Sequence, residues 1–210
     1  MKLKLVMLFF TFLTISVKSQ IISNYGIKLG IAISNQTWDY EDDFKMEFDS
    51  KLSFSPRIFV DIFNFPFWQL EGEFGYLRKG FKEKIPFTTP SQPDGTGEFI
   101  TNNNSLDYFT ISALAKFKYD LQLISPYIII GPQFNLLINK DIQQGWEVIF
   151  DKYKSSNINF SIGVGTEFKE IITFPVILEY RYEGDIINNY ELSNISIKNY
   201  SHVILLGIKI

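Results

Sequence analysis

Glu71 and Glu73 stand two residues apart in WQLEGEFGYLRK, and Glu179 and Glu183 four apart in VILEYRYEG. In an extended chain both spacings place the carboxylates of a pair on one face. Carboxylates so placed can do acid–base work. By the same parity, however, Arg57, Lys116 and Arg181 fall on the face that carries them. Cations that close favour the ionised carboxylate, so a neutralised cluster is the expected outcome. The single histidine, His202, lacks the serine two residues away that a lipid-facing hydrolase dyad needs: Tyr200 and Ile204 hold those positions, and Ser201 points to the opposite face. GVGT at 163–166 resembles a phosphate loop, but no helix follows it, and such loops need one. The acidic run DYEDDF offers Asp39, Glu41, Asp42 and Asp43 as weak candidates for a divalent cation. It lacks the spaced Asp/Asn/Gly order of a dedicated calcium loop. With no cysteine in the chain, thiolate metal sites, disulfides and thiol nucleophiles are excluded, and no cofactor is expected.

Period-two alternation defines the elements that must position these residues. Eight strand-like segments are expected at roughly 25–35, 52–63, 67–79, 106–119, 126–138, 158–168, 175–184 and 200–210. NFSIGVGTEF shows the pattern: Phe160, Ile162, Val164 and Phe168 alternate with Asn159, Ser161, Gly163, Gly165 and Glu167. The connections alternate long and short, with NFP, DLQLIS and KEIITF as the short ones. A transmembrane barrel has this pattern, with tight turns on one rim and loops on the other. Each segment is long enough to cross a bilayer when tilted, which takes about 9–11 residues.

The two faces then sort by chemistry. One carries Ile27, Leu29, Ile31, Ile58, Phe74, Ile128, Leu178, Ile204 and Leu206. The other carries Lys28, Arg57, Asp61, Glu71, Glu73, Lys116, Lys118, Glu167, Glu179 and Arg181, with glycines among them. An eight-stranded barrel is only just wide enough for side chains to fill. The bulky set would overfill it, so the apolar face belongs to lipid and the charged set is a lumen network. Tyr25, Trp68, Tyr119 and Phe168 are expected to girdle one rim, and Tyr76, Phe109 and Tyr182 the other.

The N-terminus reads as a cleaved leader. Lys2 and Lys4 precede an apolar stretch from Leu5 to Val17, and Val17 and Ser19 suit a cut before Gln20. The expected organisation is a signal peptide over 1–19 and one β-barrel domain over 20–210. Net charge −3 and a pI near 5.3 give no reason to expect a nucleic-acid partner.

YGIKLGIAIS, YIIIGPQFNLLI, NFSIGVGTEF, VILEYRYEGDI and the terminal VILLGIKI together resemble the outer-membrane β-barrel domain family of Bacteroidetes, often labelled PorT-like. The similarity extends over essentially the whole mature chain. It implies an outer-membrane location, and the family's label evokes protein secretion. One departure stands out: such barrels usually end in an aromatic residue, and this chain ends in Ile210. The expectation is an all-β, eight-stranded, up-and-down transmembrane barrel without enzymatic activity. Its partners would be outer-membrane lipid and lipopolysaccharide, and other envelope proteins met through loops 36–51 and 80–105. An accessory role in secretion or envelope assembly is the alternative, with a narrow pore and a lipid-modifying enzyme less favoured. Prolines, glycines and three successive asparagines mark 80–105 as the largest loop and a mobile one.

Overall fold

The computed structural model describes residues 22–40, 45–46, 48–93, 95–143, 145–169, 173–190 and 195–210. The leader expected over 1–19 lies outside them, as do Glu41, Asp42 and Asp43 of the acidic run. The strands are β1 (Ile22–Tyr40), β2 (Lys45–Met46), β3 (Asp49–Ile62), β4 (Trp68–Pro86), β5 (Phe99–Lys118), β6 (Ile124–Asp141), β7 (Ser156–Phe168), β8 (Val176–Asp185) and β9 (Ile195–Lys209). A short helix, α1 (Glu147–Asp151), lies between β6 and β7.

β2 is a two-residue piece that pairs with β1 beyond the end of β3, so eight strands form the wall. Each pairs antiparallel with its neighbour in chain order. β1 also pairs with β9, from Gly26↔Lys209 to Tyr40↔Ile195, and this seam closes the ring. The fold is therefore the expected up-and-down barrel.

Along β1 buried and exposed positions alternate strictly from Gly26 to Ile33. The exposed set is apolar all round the wall: Leu29 is 52% exposed, Ile128 54% and Leu206 59%. Soluble monomers rarely expose contiguous apolar patches beyond a few hundred Å². Here the apolar side chains form a band, as a wall embedded in lipid requires. In NFSIGVGTEF it is Phe160, Ile162 and Val164 that point outward, while Asn159, Ser161 and Gly163 point in.

Three expectations need correction. The strands run further than their alternation suggested, chiefly at the rim with the long connections. β4 continues to Pro86 and β5 begins at Phe99, in unbroken register from Trp68↔Phe117 to Pro86↔Phe99. Most of segment 80–105 is thus a paired hairpin, and the connection shrinks to 87–98. Segment 36–51 shortens likewise, because β1 reaches Tyr40 and β3 starts at Asp49. Second, Lys118 does not join the lumen network. Its ammonium donates to Asn64 Oδ1 (2.9 Å) at the short-turn rim, because Lys118 is the last residue of β5 and its side chain reaches the turn. Third, the inward face is not only charges and glycines, since Phe59, Leu114, Tyr127, Ile129 and Ile177 are buried there as a cluster. In the run YIIIG, Ile128, Ile129 and Ile130 have the same chemistry, so type alone does not reveal which one points inward.

Candidate functional site

The interior has two storeys. Nearer the short turns lies the charge network, built from residues that strand parity brings to one face. Lys28 on β1 donates to Glu71 (2.6 Å) and Glu73 (2.8 Å) on β4 and to Glu179 (3.2 Å) on β8. Arg181 reaches the same three carboxylates, standing 2.5 Å from Glu73 and 3.2 Å from Glu71 and pairing through Nε with Glu179. Lys116 sits 2.5 Å from Glu71 and 3.5 Å from Glu167. Arg57 pairs with Glu183 (2.7 Å), and Lys209 with Glu167 (2.8 Å) and Asp61 (3.1 Å). All these side chains are buried.

Aromatic rings complete this storey. The Lys28 ammonium lies 4.8 Å from the Phe59 ring centre, and Lys116 lies 4.7 Å from that of Tyr127. Tyr127 donates its hydroxyl to Glu179 (2.7 Å). Room for the long cations comes from glycine. A Cβ at Gly163 would stand 2.8 Å from Arg181 Cγ, and one at Gly207 2.8 Å from Lys28 Cγ. A buried ion pair breaks even only when nearly every charge is matched. Lys28, Arg57, Lys116, Arg181 and Lys209 face Asp61, Glu71, Glu73, Glu167, Glu179 and Glu183, so the charges are close to balanced.

The second storey, nearer the long connections, is aromatic. Trp38 on β1 packs edge-on against Trp146 (5.1 Å between ring centres), Phe48 (5.6 Å) and Phe81 (6.2 Å). Phe150, the buried residue of α1, closes over it, stacked on Tyr153 at 5.2 Å. A chain of hydrogen bonds ties this core to the wall: Trp38 Nε1 donates to Gln36 Oε1 (2.9 Å), Gln36 to Asn199 (2.8 Å), and Asn199 to Tyr153 and Asp185 (2.7 Å each). Burial pushes the Tyr153 hydroxyl well above its ordinary pKa, with nearby Tyr108 and Asp185 adding to the effect. Asp185 also receives Lys79 at 3.2 Å, linking the two storeys.

Of the residues predicted for the lumen, Lys28, Arg57, Asp61, Glu71, Glu73, Lys116, Glu167, Glu179 and Arg181 meet in one network. Lys79 and Asp185 were not anticipated, because both sit at the predicted strand ends. The aromatic storey was missed as well. Trp38, Phe81, Trp146 and Phe150 come from segments read as loop, and no periodicity joins them.

Outside the wall, Arg78 forms two bonds to Asp107 (2.5 and 3.0 Å), which also accepts from Tyr76 and Asn139. His202 shares a 2.7 Å hydrogen bond with Tyr180 and is ringed by Tyr182 and Tyr200, so it belongs to an outward aromatic girdle. Asp39 lies in β1 opposite Ser196 and Lys45, and among the described residues no acidic or histidine cluster could hold a metal ion.

A closed antiparallel ring with an apolar outer band, a charge network and an aromatic cluster inside it defines an integral outer-membrane β-barrel. The chain belongs to the outer membrane protein beta-barrel domain family, whose profile matches residues 18–189. It is accordingly a protein of the outer membrane. No curated protein matches the sequence. Similar solved structures include the outer membrane protein OprG of Pseudomonas aeruginosa (9% identity, 89% of this chain and 95% of that one, TM-score 0.47). Neisserial surface protein A is another (13%, 88% and 96%, TM-score 0.46), as is the attachment invasion locus protein Ail of Yersinia pestis (15%, 89% and 98%, TM-score 0.40).

Proposed function

We propose that the protein is a non-enzymatic scaffold of the outer membrane, exported by its 1–19 leader, with the long-connection rim on the cell exterior. Lipid holds the wall, the interior is sealed, and contact with lipopolysaccharide and other envelope or external proteins falls to the exposed rim. The observation that carries this reading is the two-storey filling. Arg181 and Lys28 neutralise the carboxylates in one storey, and Trp38 and Phe150 occupy the other. A lumen filled in this way favours neither conduction nor acid–base chemistry. Purified protein in planar bilayers should give no stable conductance, and expression should leave the lipid A mass spectrum unchanged. Steady single-channel current, or lipid A with a missing acyl chain, would sink the reading.

The PorT-like resemblance of YIIIGPQFNLLI and VILEYRYEGDI favours one specialisation, an accessory part of a secretion or envelope-assembly machine. Co-purification with inner-membrane or periplasmic machinery after cross-linking tests it. A barrel recovered alone argues for the simpler scaffold.

A further inference from the structure

At the long-connection rim the strand extensions differ in how their edges are covered. The outer part of β1 is flanked by β9 on one side and β2 on the other, where Trp38 pairs with Met46. The free side of β9 is capped by the 188–190 segment: Asn189 N donates to Ile197 O (2.9 Å) and Ile197 N to Asn188 Oδ1 (2.8 Å). Among the described residues the β4–β5 hairpin has no such main-chain cover on either edge; Trp146 Nε1 meets it through the Glu83 side chain (2.9 Å). β3 leaves β4 at Asp49↔Lys82, and β6 leaves β5 at Ser105↔Asp141, while β4 and β5 continue together to Pro86↔Phe99.

The two bare edges differ in chemistry. β4 carries Lys82, Glu83, Lys84 and Pro86, and Lys84 is paired with Asp49 at 2.8 Å. Charges and proline on an edge are the usual means of discouraging strand addition. β5 reads FITNN from Phe99 to Asn103, with neither charge nor proline. Phe99 is 60% exposed and Ile100 54%, and among the described residues capping contacts begin at Asn104, whose Oδ1 accepts from Gln143 N (2.9 Å). The blocked edge and the unblocked edge belong to one hairpin.

We propose that the β5 edge from Phe99 to Asn103 is a docking site for an extended polypeptide, which adds to the hairpin as an antiparallel strand. The segment it fits is uncharged and alternates β-branched or aromatic residues with small polar ones, to lie beside Ile100 and Asn102 on one face and Phe99 and Thr101 on the other. Main-chain hydrogen bonds supply the affinity and the flanking side chains the selectivity. A second copy of this chain is the weaker occupant. Copies in one membrane point the same way, so their β5 edges would meet parallel, the less stable pairing. This proposal rests on the exterior placement of the long-connection rim.

The probe is a dye-labelled nine-residue peptide alternating valine and threonine, titrated by anisotropy against the full barrel in lipid nanodiscs. Its control carries N-methyl groups on alternate residues. Binding should weaken roughly tenfold or more with the N-methylated peptide and with Thr101→Lys or Asn103→Lys, while Lys84→Thr leaves it unchanged. Each variant must keep its heat-modifiable gel band, which separates loss of docking from loss of fold. Three outcomes overturn the proposal: absence of binding, binding indifferent to N-methylation and to the edge variants, or barrel self-association abolished by those variants without peptide binding. Labelling of Thr101→Cys on intact cells by an impermeant thiol reagent checks the underlying placement separately. An unreactive cysteine there with peptide binding intact would overturn the exterior rim and leave the edge itself standing.

Discussion

Arg181 touches three carboxylates from two strands, and removing it leaves all three buried with Lys28 as the one cation they still share. Arg181→Leu should lower the temperature at which the barrel unfolds on gels, at a cost of about 3–5 kcal/mol for breaking a buried pair. Leu178, 45% exposed on the outer wall next to inward Glu179, gives the complementary test. Leu178→Arg should cost about 2–4 kcal/mol if it lies near the bilayer midplane. If Leu178→Arg is harmless while Glu179→Leu stabilises, the faces are reversed. At the short-turn rim the Ser125 hydroxyl bonded to Asp120 (2.6 Å) holds that carboxyl below its ordinary range, with Lys118 and Lys169 assisting. A depressed carboxylate stabilises the fold above its unfolded value, about 3.9, and the contribution fades as pH falls through the depressed value. Amide exchange in the 119–123 turn should therefore quicken in acid below that value, and Asp120→Asn should abolish the dependence. Parity makes these residues legible: Lys28 lies between Ile27 and Leu29, Arg181 between Tyr180 and Tyr182, and Glu71 next to Leu70.

Alternation ends where both faces become polar, and there the elements outran the sequence reading. Residues 81–86 and 99–104 carry lysines, asparagines and a proline that suit a loop, yet cross-strand pairing continues because the register set lower in β4 and β5 propagates upward. The aromatic storey escaped for a different reason. Trp38 and Phe150 meet only once the ring has closed, and nothing local connects them. Phe150→Ala should cost about 3–5 kcal/mol by the usual cavity penalty and flatten the near-ultraviolet circular dichroism, while leaving the far-ultraviolet strand signal in place. Gly163→Ala places a Cβ 2.4 Å from Tyr180 O and 2.8 Å from Arg181 Cγ, so it should slow folding into detergent micelles and lower the melting temperature.

For the whole molecule, the alternation of long and short connections carried the barrel, and it also makes a prediction about sidedness. A cysteine at Ser91 should react with an impermeant thiol reagent on intact cells, and one at Asn64 should not. The reverse pattern would move the binding rim to the periplasm. Ser193, which suits the same test by its place in the sequence, lies outside the described residues. The seam between β1 and β9 has a consequence for biogenesis. Lys28, on the first strand of the ring, holds Glu71 and Glu73 around one side and Glu179 around the other, so its partners are split across the joint between the chain's two end strands. A sheet inserted before that joint closes would turn unmatched ammonium and carboxylate groups toward hydrocarbon. Entry into the bilayer and completion of the ring are thereby coupled into one committed step, and a half-zipped intermediate has an incentive to stay at the aqueous surface until the ends find each other.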